Sequence, residues 1–259
     1  YKALRANNIF MPHELNYENI IEKDEANGTF KIREKYQGHY DLVFVDNFIL
    51  WEERGEPDAL YLNDGEGRFE LTAPDAGAFF DEAGKPVETF YDWGLAAKFQ
   101  DVNNDGHPDL YVCNDFNSPD RIWMNDGTGR FQAIKKQAIR HTSHSSMAVD
   151  FADVERDGDL DVFVIDMLGM NHQRQKMQFN TMPPTSAKIG ALDDRLQYMR
   201  NTLLLNAGHD EYTEIGRFSG VHASDWSWSA NFLDIDLDGY EDILIATGQI
   251  SDTQNMDVR

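Results

Sequence analysis

The sequence predicts an all-β chain assembled from a repeated unit of strand, acidic loop and strand, and three observations predict it. A nonapeptide with Asp at positions 1, 5 and 9 and Gly at position 6 occurs three times: DVNNDGHPD at residues 101–109, DVERDGDLD at 153–161 and DIDLDGYED at 234–242. Each copy is followed by a short run rich in β-branched and aromatic residues, LYVC, VFVI or ILIA, which reads as a buried strand. Each is preceded by an approach segment with Phe two residues ahead of the first Asp, at Phe99, Phe151 and Phe232.

The loops have the spacing of a site for a hard cation. Calcium takes six to eight oxygens at roughly 2.3–2.6 Å, and a short loop supplies them by turning alternate side chains inward at positions 1, 3 and 5. The first loop offers Asp101, Asn103 and Asp105, the backbone carbonyl of His107, and the closing carboxylate of Asp109. The second offers Asp153, Glu155, Asp157, the carbonyl of Asp159, and Asp161; the third offers Asp234, Asp236, Asp238, the carbonyl of Tyr240, and Asp242. Glycine at position 6 permits the sharp turn, because it alone takes positive φ without steric cost. An EF-hand closes with Glu at position 12 on a following helix. Here position 12 is Val112, Val164 or Ile245, so that reading fails.

With these residues in view, the pattern Phe-x-Asp-x-(Asp/Asn)-x-Asp-Gly-x-x-Asp followed by an apolar strand resembles the FG-GAP or VCBS repeat. That repeat is the calcium-loop blade of integrin α-subunit β-propellers and of bacterial surface proteins. The phrases LYLNDGEGRF and IWMNDGTGRF are similar to those of the cartilage acidic protein and ASPIC/UnbV group. The resemblance spans roughly residues 20 to 248 and implies one β-propeller domain over residues 1–259, with about three structural Ca2+ ions. It also implies a larger ring, since such propellers commonly have seven blades.

In chain order, residues 1–19 show no clear period and suit a loop or a short helix. A second phrase, (Leu/Ile)-x-x-(Asn/Asp)-x-Gly-x-Gly-x-(Phe/Tyr), appears weakly at residues 21–30 and again at 60–69, 122–131 and, with Asp210 in place of the second Gly, 203–212. Apolar alternation, a turn and an aromatic strand start signal a hairpin, so each phrase supplies two strands. Gly38-His39-Tyr40-Asp41 and LVFV keep only the second half of a cation loop, with Arg33, Lys35 and Gln37 at the ligand positions. This copy should hold no ion; either Arg33 or Lys35 pairs with Asp41 in its place, or the loop is simply solvated.

Four loop–strand elements and four hairpin phrases make about four blade equivalents. The first two loops start 52 residues apart, which fits one four-stranded blade of about 40–50 residues. The next spacing, 81, is one blade plus an insertion of about 29 residues within 167–201. That insertion carries five methionines, is locally basic, and places Ile189, Leu192, Leu196 and Met199 at helical spacing. It reads as a partly helical excursion that either docks a partner through adaptable methionines or folds back over strand edges. After the third loop and its strand no hairpin phrase follows, so the last blade is incomplete. Either the phrase at 21–30 completes it, closing a small ring, or the blades belong to a larger propeller.

Composition limits the partners. A net charge of −23 argues against nucleic acid, since phosphate binding needs basic surface. Three divalent ions would offset only six of those charges, leaving an acidic solvated surface. Cys113 is the single cysteine, so no intrachain disulfide forms, and its place in a strand makes it a small buried hydrophobe. No apolar run approaches the ~18 residues of a membrane helix. The chain begins at Tyr1 without an initiator Met or signal peptide, which suits a mature or partial sequence. Calcium sites with Kd of about 10⁻⁴–10⁻³ M fill outside the cell and not in the cytosol, which places the protein extracellularly, at the cell surface or in the periplasm. Asn27-Gly28-Thr29 fits a glycosylation sequon.

No catalytic constellation stands out. The paired carboxylates belong to the cation loops, and neither a nucleophile elbow, a phosphate-cradling glycine loop nor an HExxH helix occurs. His141 and His144 read as loop residues at a blade rim. Trp226 and Trp228, ahead of the third loop, read as packing between blades or, more sharply, as a sugar-stacking platform. The expected function is therefore a non-enzymatic, calcium-stabilised recognition, adhesion or scaffold module with a protein or glycan partner. The alternatives are a lectin or polysaccharide lyase, or a subunit of a larger surface assembly docking through residues 167–201.

Overall fold

A computed structural model describes residues 20–24, 28–45, 48–72, 77–87, 91–115, 118–179, 195–208 and 211–248. These are nearly all β, with one α-helix among the described residues. They fall into two compact units, residues 1–56 and 57–259.

In the first unit, β1 (Ile21–Lys23) and β2 (Phe30–Ile32) pair antiparallel, so even the weakest hairpin phrase forms its hairpin. A 3-10 turn at Glu34–Tyr36 leads into β3 (Tyr40–Val45), which pairs antiparallel with β4 (Phe48–Glu53). A cation does stand on Asp41, and it is Arg54, whose Nε and Nη2 donate to the two carboxylate oxygens at 2.5 and 2.6 Å. The expectation named Arg33 or Lys35. The strand register decides otherwise: Arg54 N donates to His39 O at 2.9 Å, which sets the guanidinium beside Asp41, while Arg33 approaches Glu22 at 3.9 Å. The bidentate hydrogen bond to Arg54 lowers the Asp41 carboxyl below its ordinary range, against a smaller opposing effect of burial.

β5 (Glu56–Pro57) lies at the boundary. In the second unit, β6 (Leu60–Asn63) and β7 (Phe69–Thr72) form the next phrase hairpin, followed by the short β8 (Phe79–Phe80) and β9 (Tyr91–Asp92). Then comes an antiparallel meander of β10 (Gly94–Gln100), β11 (Asp109–Asn114), β12 (Arg121–Asn125) and β13 (Phe131–Ala133), with β8 added parallel to β13. After β14 (His141–Ser143), a second meander consists of β15 (Ala148–Ala152) and β16 (Asp161–Ile165), continued after the insertion by two further strands. The insertion holds α1 (His172–Phe179) and β17 (Leu196–Tyr198); the meander then resumes with β18 (Thr202–Asn206) and β19 (Tyr212–Glu214). A third sheet has β20 (Ser227–Leu233) and β21 (Asp242–Thr247).

The apolar runs after the first two loops are unbroken because these sheets stack face to face and both faces of β11 and β16 are covered. The run after the third loop, read as a buried strand too, is half-exposed among the described residues, where β21 has only β20 beside it. Along β11, Leu110 and Val112 join Phe79 and Trp123 on one side, while Tyr111 and Cys113 face the second sheet. Along β16, Val162 and Val164 meet that same cluster, and Phe163 and Ile165 turn the other way, toward Ala230, Phe232, Ile243 and Ile245 of the third sheet. Strand period 2 thus feeds two cores from each run. Cys113 is fully buried, as its position predicted. Asp150 on β15 joins the three first strands: its carboxylate takes Lys98 of β10 and the backbone N–H of Phe232 of β20, the latter at 2.7 Å.

The insertion departs from its expected form. Leu196 and Met199 are not helical: Leu196–Tyr198 is a strand paired parallel with His141–Ser143, and the helix lies earlier, at His172–Phe179. Backbone pairing with β14 outweighs the local helical spacing. Ile189 and Leu192 lie outside the described residues. The end of the insertion folds back, onto the preceding sheet: Arg195 donates to the carbonyls of Ile134 at 2.9 Å and Asp120 at 3.3 Å, and Gln197 donates to that of Ser118 at 3.2 Å.

At the ends of β11 and β16 remote from the acidic loops runs a buried polar belt. Asn114 N donates to Asp120 Oδ1 at 2.9 Å, and at the equivalent place in the second sheet Asp166 N donates to Asn201 Oδ1 at 2.7 Å. The belt also crosses between sheets. Ser146 Oγ donates to Asp120 Oδ2 at 2.8 Å, and Asn201 Nδ2 donates to Ser224 Oγ at 2.7 Å.

Candidate metal loops

All three nonapeptides sit where the sequence puts them, each joining the first strand of a sheet to the second: β10 to β11, β15 to β16, and β20 to β21. They share one backbone frame. The position 1 carboxylate accepts the N–H of position 5 (Asp105, Asp157, Asp238) at 3.0–3.1 Å and the N–H of Gly106, Gly158 or Gly239 at 2.8–2.9 Å. The position 5 carboxylate accepts the N–H of His107, Asp159 or Tyr240 at 2.8–2.9 Å. Position 6 has φ of 87°, 97° and 91°, so glycine there is a steric requirement.

These bonds turn the carboxylates of positions 1 and 5 into the bend. In the third loop one oxygen from each of Asp234, Asp236 and Asp242 lies within 4.8 Å of the others. Hard, anionic oxygens converging to that degree suit a calcium-sized cation. In the first loop Asn103 Nδ2 donates to Asp105 Oδ2 at 3.0 Å, and Asn103 Oδ1 accepts the N–H of Asp105 at 3.1 Å.

The closing aspartates are not equivalent. Asp109 and Asp161 are buried, and each is held twice: by the N–H of Val102 or Val154 at 3.0 and 2.9 Å, and by the N–H of Asn125 or Asn206 at 2.7 and 2.8 Å. Burial raises both carboxyls above the ordinary aspartate range; those N–H groups oppose the rise, and the loop carboxylates Asp105 and Asp101, or Glu155 and Asp157, add to it. A divalent cation would reverse that balance by favouring the ionised form. Asp242 is exposed and accepts the N–H of Ile235 at 3.1 Å.

Two sets of residues emerge that the ligand pattern did not contain. Asn125 and Asn206, read in the sequence as hairpin turn residues, also brace the loops. Their side-chain amides donate to the carbonyls of position 8, Pro108 at 2.9 Å and Leu160 at 3.4 Å, while their Oδ1 atoms accept the N–H of Gly127 and Gly208. The fixed place of Asn in the repeated phrase was the available signal. The other set is position 4, where Asn104, Arg156 and Leu237 hold φ of 59°, 61° and 63°. Asn takes this conformation more readily than most residues, but nothing in the residue types of Arg156 and Leu237 announces it.

The histidines and tryptophans singled out in the sequence take part in local contacts. His141 lies on β14 with Nε2 3.5 Å from Glu214 and 3.3 Å from Arg200 Nη2, and Arg200 reaches Glu214 at 2.8 Å. Burial raises the Glu214 carboxyl, but bonds from His141 and Gly216 N and the charge of Arg200 outweigh it and leave a net lowering. His144 Nδ1 contacts Ser145 Oγ at 3.2 Å, and Asp166 accepts the N–H groups of both His144 and Ser145. The ring centroids of Trp226 and Trp228 are 6.2 Å apart at an interplanar angle of 41°, and Trp228 Nε1 donates to Gly248 O at 2.5 Å. Trp228 falls in a bulge of β20 that matches a bulge between Gly94 and Ala96 in β10, so its exposure follows from strand geometry.

Among known proteins, the family described as FG-GAP-like repeat matches residues 101–164, the stretch from the first loop through β11 to the second loop and most of β16. No curated protein matches the chain significantly. No helix among the described residues is long and apolar enough to cross a membrane.

Proposed function

We propose that the chain is a calcium-stabilised domain of the β-propeller type, built from about four blade equivalents, that works outside the cytoplasm as a non-enzymatic recognition or scaffold module. The observation that carries this is the convergence of the Asp234, Asp236 and Asp242 oxygens on a backbone frame that recurs in the two other loops. Asp101, Asn103, Asp105 and Asp109 would hold one ion, with Asp153, Glu155, Asp157 and Asp161 holding a second and Asp234, Asp236, Asp238 and Asp242 a third. Each ion would also take the carbonyl of position 7.

The role of the ion is mechanical. Each loop joins two strands of one sheet, and the ligand positions crowd three or four carboxylates into one bend. Mutual repulsion opposes the turn, and a bound cation replaces it with attraction. The face-to-face sheets supply a rigid body, while the loops and the insertion at residues 167–201 supply surface that can vary, an arrangement suited to recognition.

The test is a thermal melt of the protein in about 1 mM calcium against the same protein in chelator, with calorimetric titration of the metal. Sites with Kd of about 10⁻⁴–10⁻³ M stabilise by roughly 0.4–1.4 kcal/mol each at that concentration, so three sites raise Tm by several degrees. Asp238→Ala should remove one ion from the stoichiometry and shrink the gain. Superimposable melts together with no heat of calcium binding would overturn the reading.

A further inference from the structure

Two of the three side chains at position 4, those of Asn104 and Arg156, reach the next loop along. Asn104, in the left-handed region, donates its Nδ2 to Gly158 O at 2.9 Å and to Asp159 Oδ1 at 3.3 Å. Arg156 takes the same conformation and lays its guanidinium over the Tyr240 ring, 4.4 Å from the centroid. Its Nη2 comes within 3.2 Å of where a Cβ on Gly239 would stand. Gly158 and Asp159 are positions 6 and 7 of the second loop, and Gly239 and Tyr240 are positions 6 and 7 of the third. The same spatial relation is therefore made twice with different chemistry, and position 7 is the residue whose carbonyl would face an ion.

The aim of Arg156 depends on its own loop. Its positive φ is held between the bonds that Asp153 accepts from Asp157 N at 3.0 Å and from Gly158 N at 2.9 Å. If the second bend opens, the guanidinium loses its direction. Among the described residues, the third loop's closing Asp242 is exposed and accepts the N–H of Ile235, without a counterpart of the Asn N–H that braces Asp109 and Asp161.

We propose that Arg156 is a positioning residue that couples the second loop to the third: when a divalent cation orders residues 153–161, the guanidinium is fixed across Tyr240 and holds the Gly239–Tyr240 turn in the form the Asp234, Asp236 and Asp242 cluster uses. This rests on the calcium reading given above. The contacts run in one direction along the chain, from Asn104 to the second loop and from Arg156 to the third, but the coupling is reciprocal, so each of the two later loops reports the state of the other.

Hydrogen exchange read by mass spectrometry on the full chain, in chelator and in calcium chloride, tests this on peptides covering residues 153–161 and 234–242. A guanidinium–aromatic contact at an exposed site corresponds to about a two- to fivefold change in opening equilibrium. Arg156→Ala should speed exchange of residues 234–242 by that factor and that of 153–161 by no more than the same factor, because the coupling is reciprocal, with Arg156→Lys restoring only part because the planar stack is lost. In calcium, Asp157→Ala should speed residues 234–242 to the same extent, and the double variant should add nothing. Unchanged exchange at 234–242 in Arg156→Ala, or effects of the two substitutions that multiply, would overturn the coupling. A wild-type chain whose loops show no response to calcium would overturn the calcium reading and the coupling with it; a wild-type response alongside a silent Arg156→Ala overturns the coupling alone.

Discussion

Asp161→Ala is expected to cost about 3–5 kcal/mol of stability even in chelator, whereas Asp242→Ala, the same position of the third loop, should cost less than about 1 kcal/mol there. The difference lies in what each carboxylate satisfies. Asp161 is fully buried and takes the N–H of Val154 from its own loop and that of Asn206 from β18, so its loss orphans two backbone donors. Asn206 in turn donates to the carbonyls of Val102, in the first loop, at 3.3 Å and of Leu160 at 3.4 Å, so the damage crosses between sheets. Asp242 is exposed, and water can replace it on Ile235 N. Calcium binding should suffer in both variants. Equilibrium denaturation in chelator separates the two contributions, and equal losses for the two variants would show that burial of the closing carboxylate does not matter as argued.

Stability is expected to fall as pH rises from about 4 to about 7, and Asp120→Asn is expected to remove much of that slope. Asp120 lies within the polar belt, and burial pushes its carboxyl up to about 7 despite bonds from Asn114 N, Tyr111 and Ser146. The neighbouring Asp166 adds to the rise and is itself raised, again chiefly by burial. A carboxyl with a folded pKa above its unfolded value binds a proton in the native state that the unfolded chain has released. The native state is therefore favoured at low pH, loses that advantage between the two pKa values, and is level above about 7. Linkage bounds the Asp120 contribution at about 4 kcal/mol. Asn is compatible with the site, since Asn201 already occupies the equivalent place and accepts the equivalent backbone N–H. Its amide can donate to the hydroxyls of Tyr111 and Ser146 much as the protonated acid does. Chemical denaturation at pH 5 and pH 8 is the measurement. A variant as pH-dependent as the wild type would assign the slope to other groups, with Asp166 first among them.

These two carboxylates show where reading the sequence stops. Asp161 was visible as a ligand candidate because its chemistry is local: a fixed offset from Asp153, Asp157 and Gly158 within nine residues. Asp120 carried no such mark. It precedes a strand in a loop of ordinary polar residues, and becomes a titrating group only because Tyr111, Ser146 and the core around Ile122 remove its water. Arg54 and Arg156 are similar cases. Their partners, Asp41 and Tyr240, lie across a strand register and across a stack of sheets, and neither distance is encoded in neighbouring residue types. The helical spacing around Leu196 and Met199 is a local signal that misleads, because Leu196–Tyr198 pairs with β14 instead.

What the sequence determined by itself was everything that repeats at short range: the strand that follows each loop, the four hairpins, the glycine that must take positive φ at Gly106, Gly158 and Gly239, and the choice of hard oxygen donors. Periodicity and backbone sterics act within a few residues, so they can be read without knowing the rest of the chain. The tertiary structure decided which copies of a repeated residue differ. Burial and hydrogen-bond partners are set by which strands come to lie alongside, and among the described residues Asp161, beside β18, is a buried brace while Asp242, identical in sequence position, is an exposed ligand candidate.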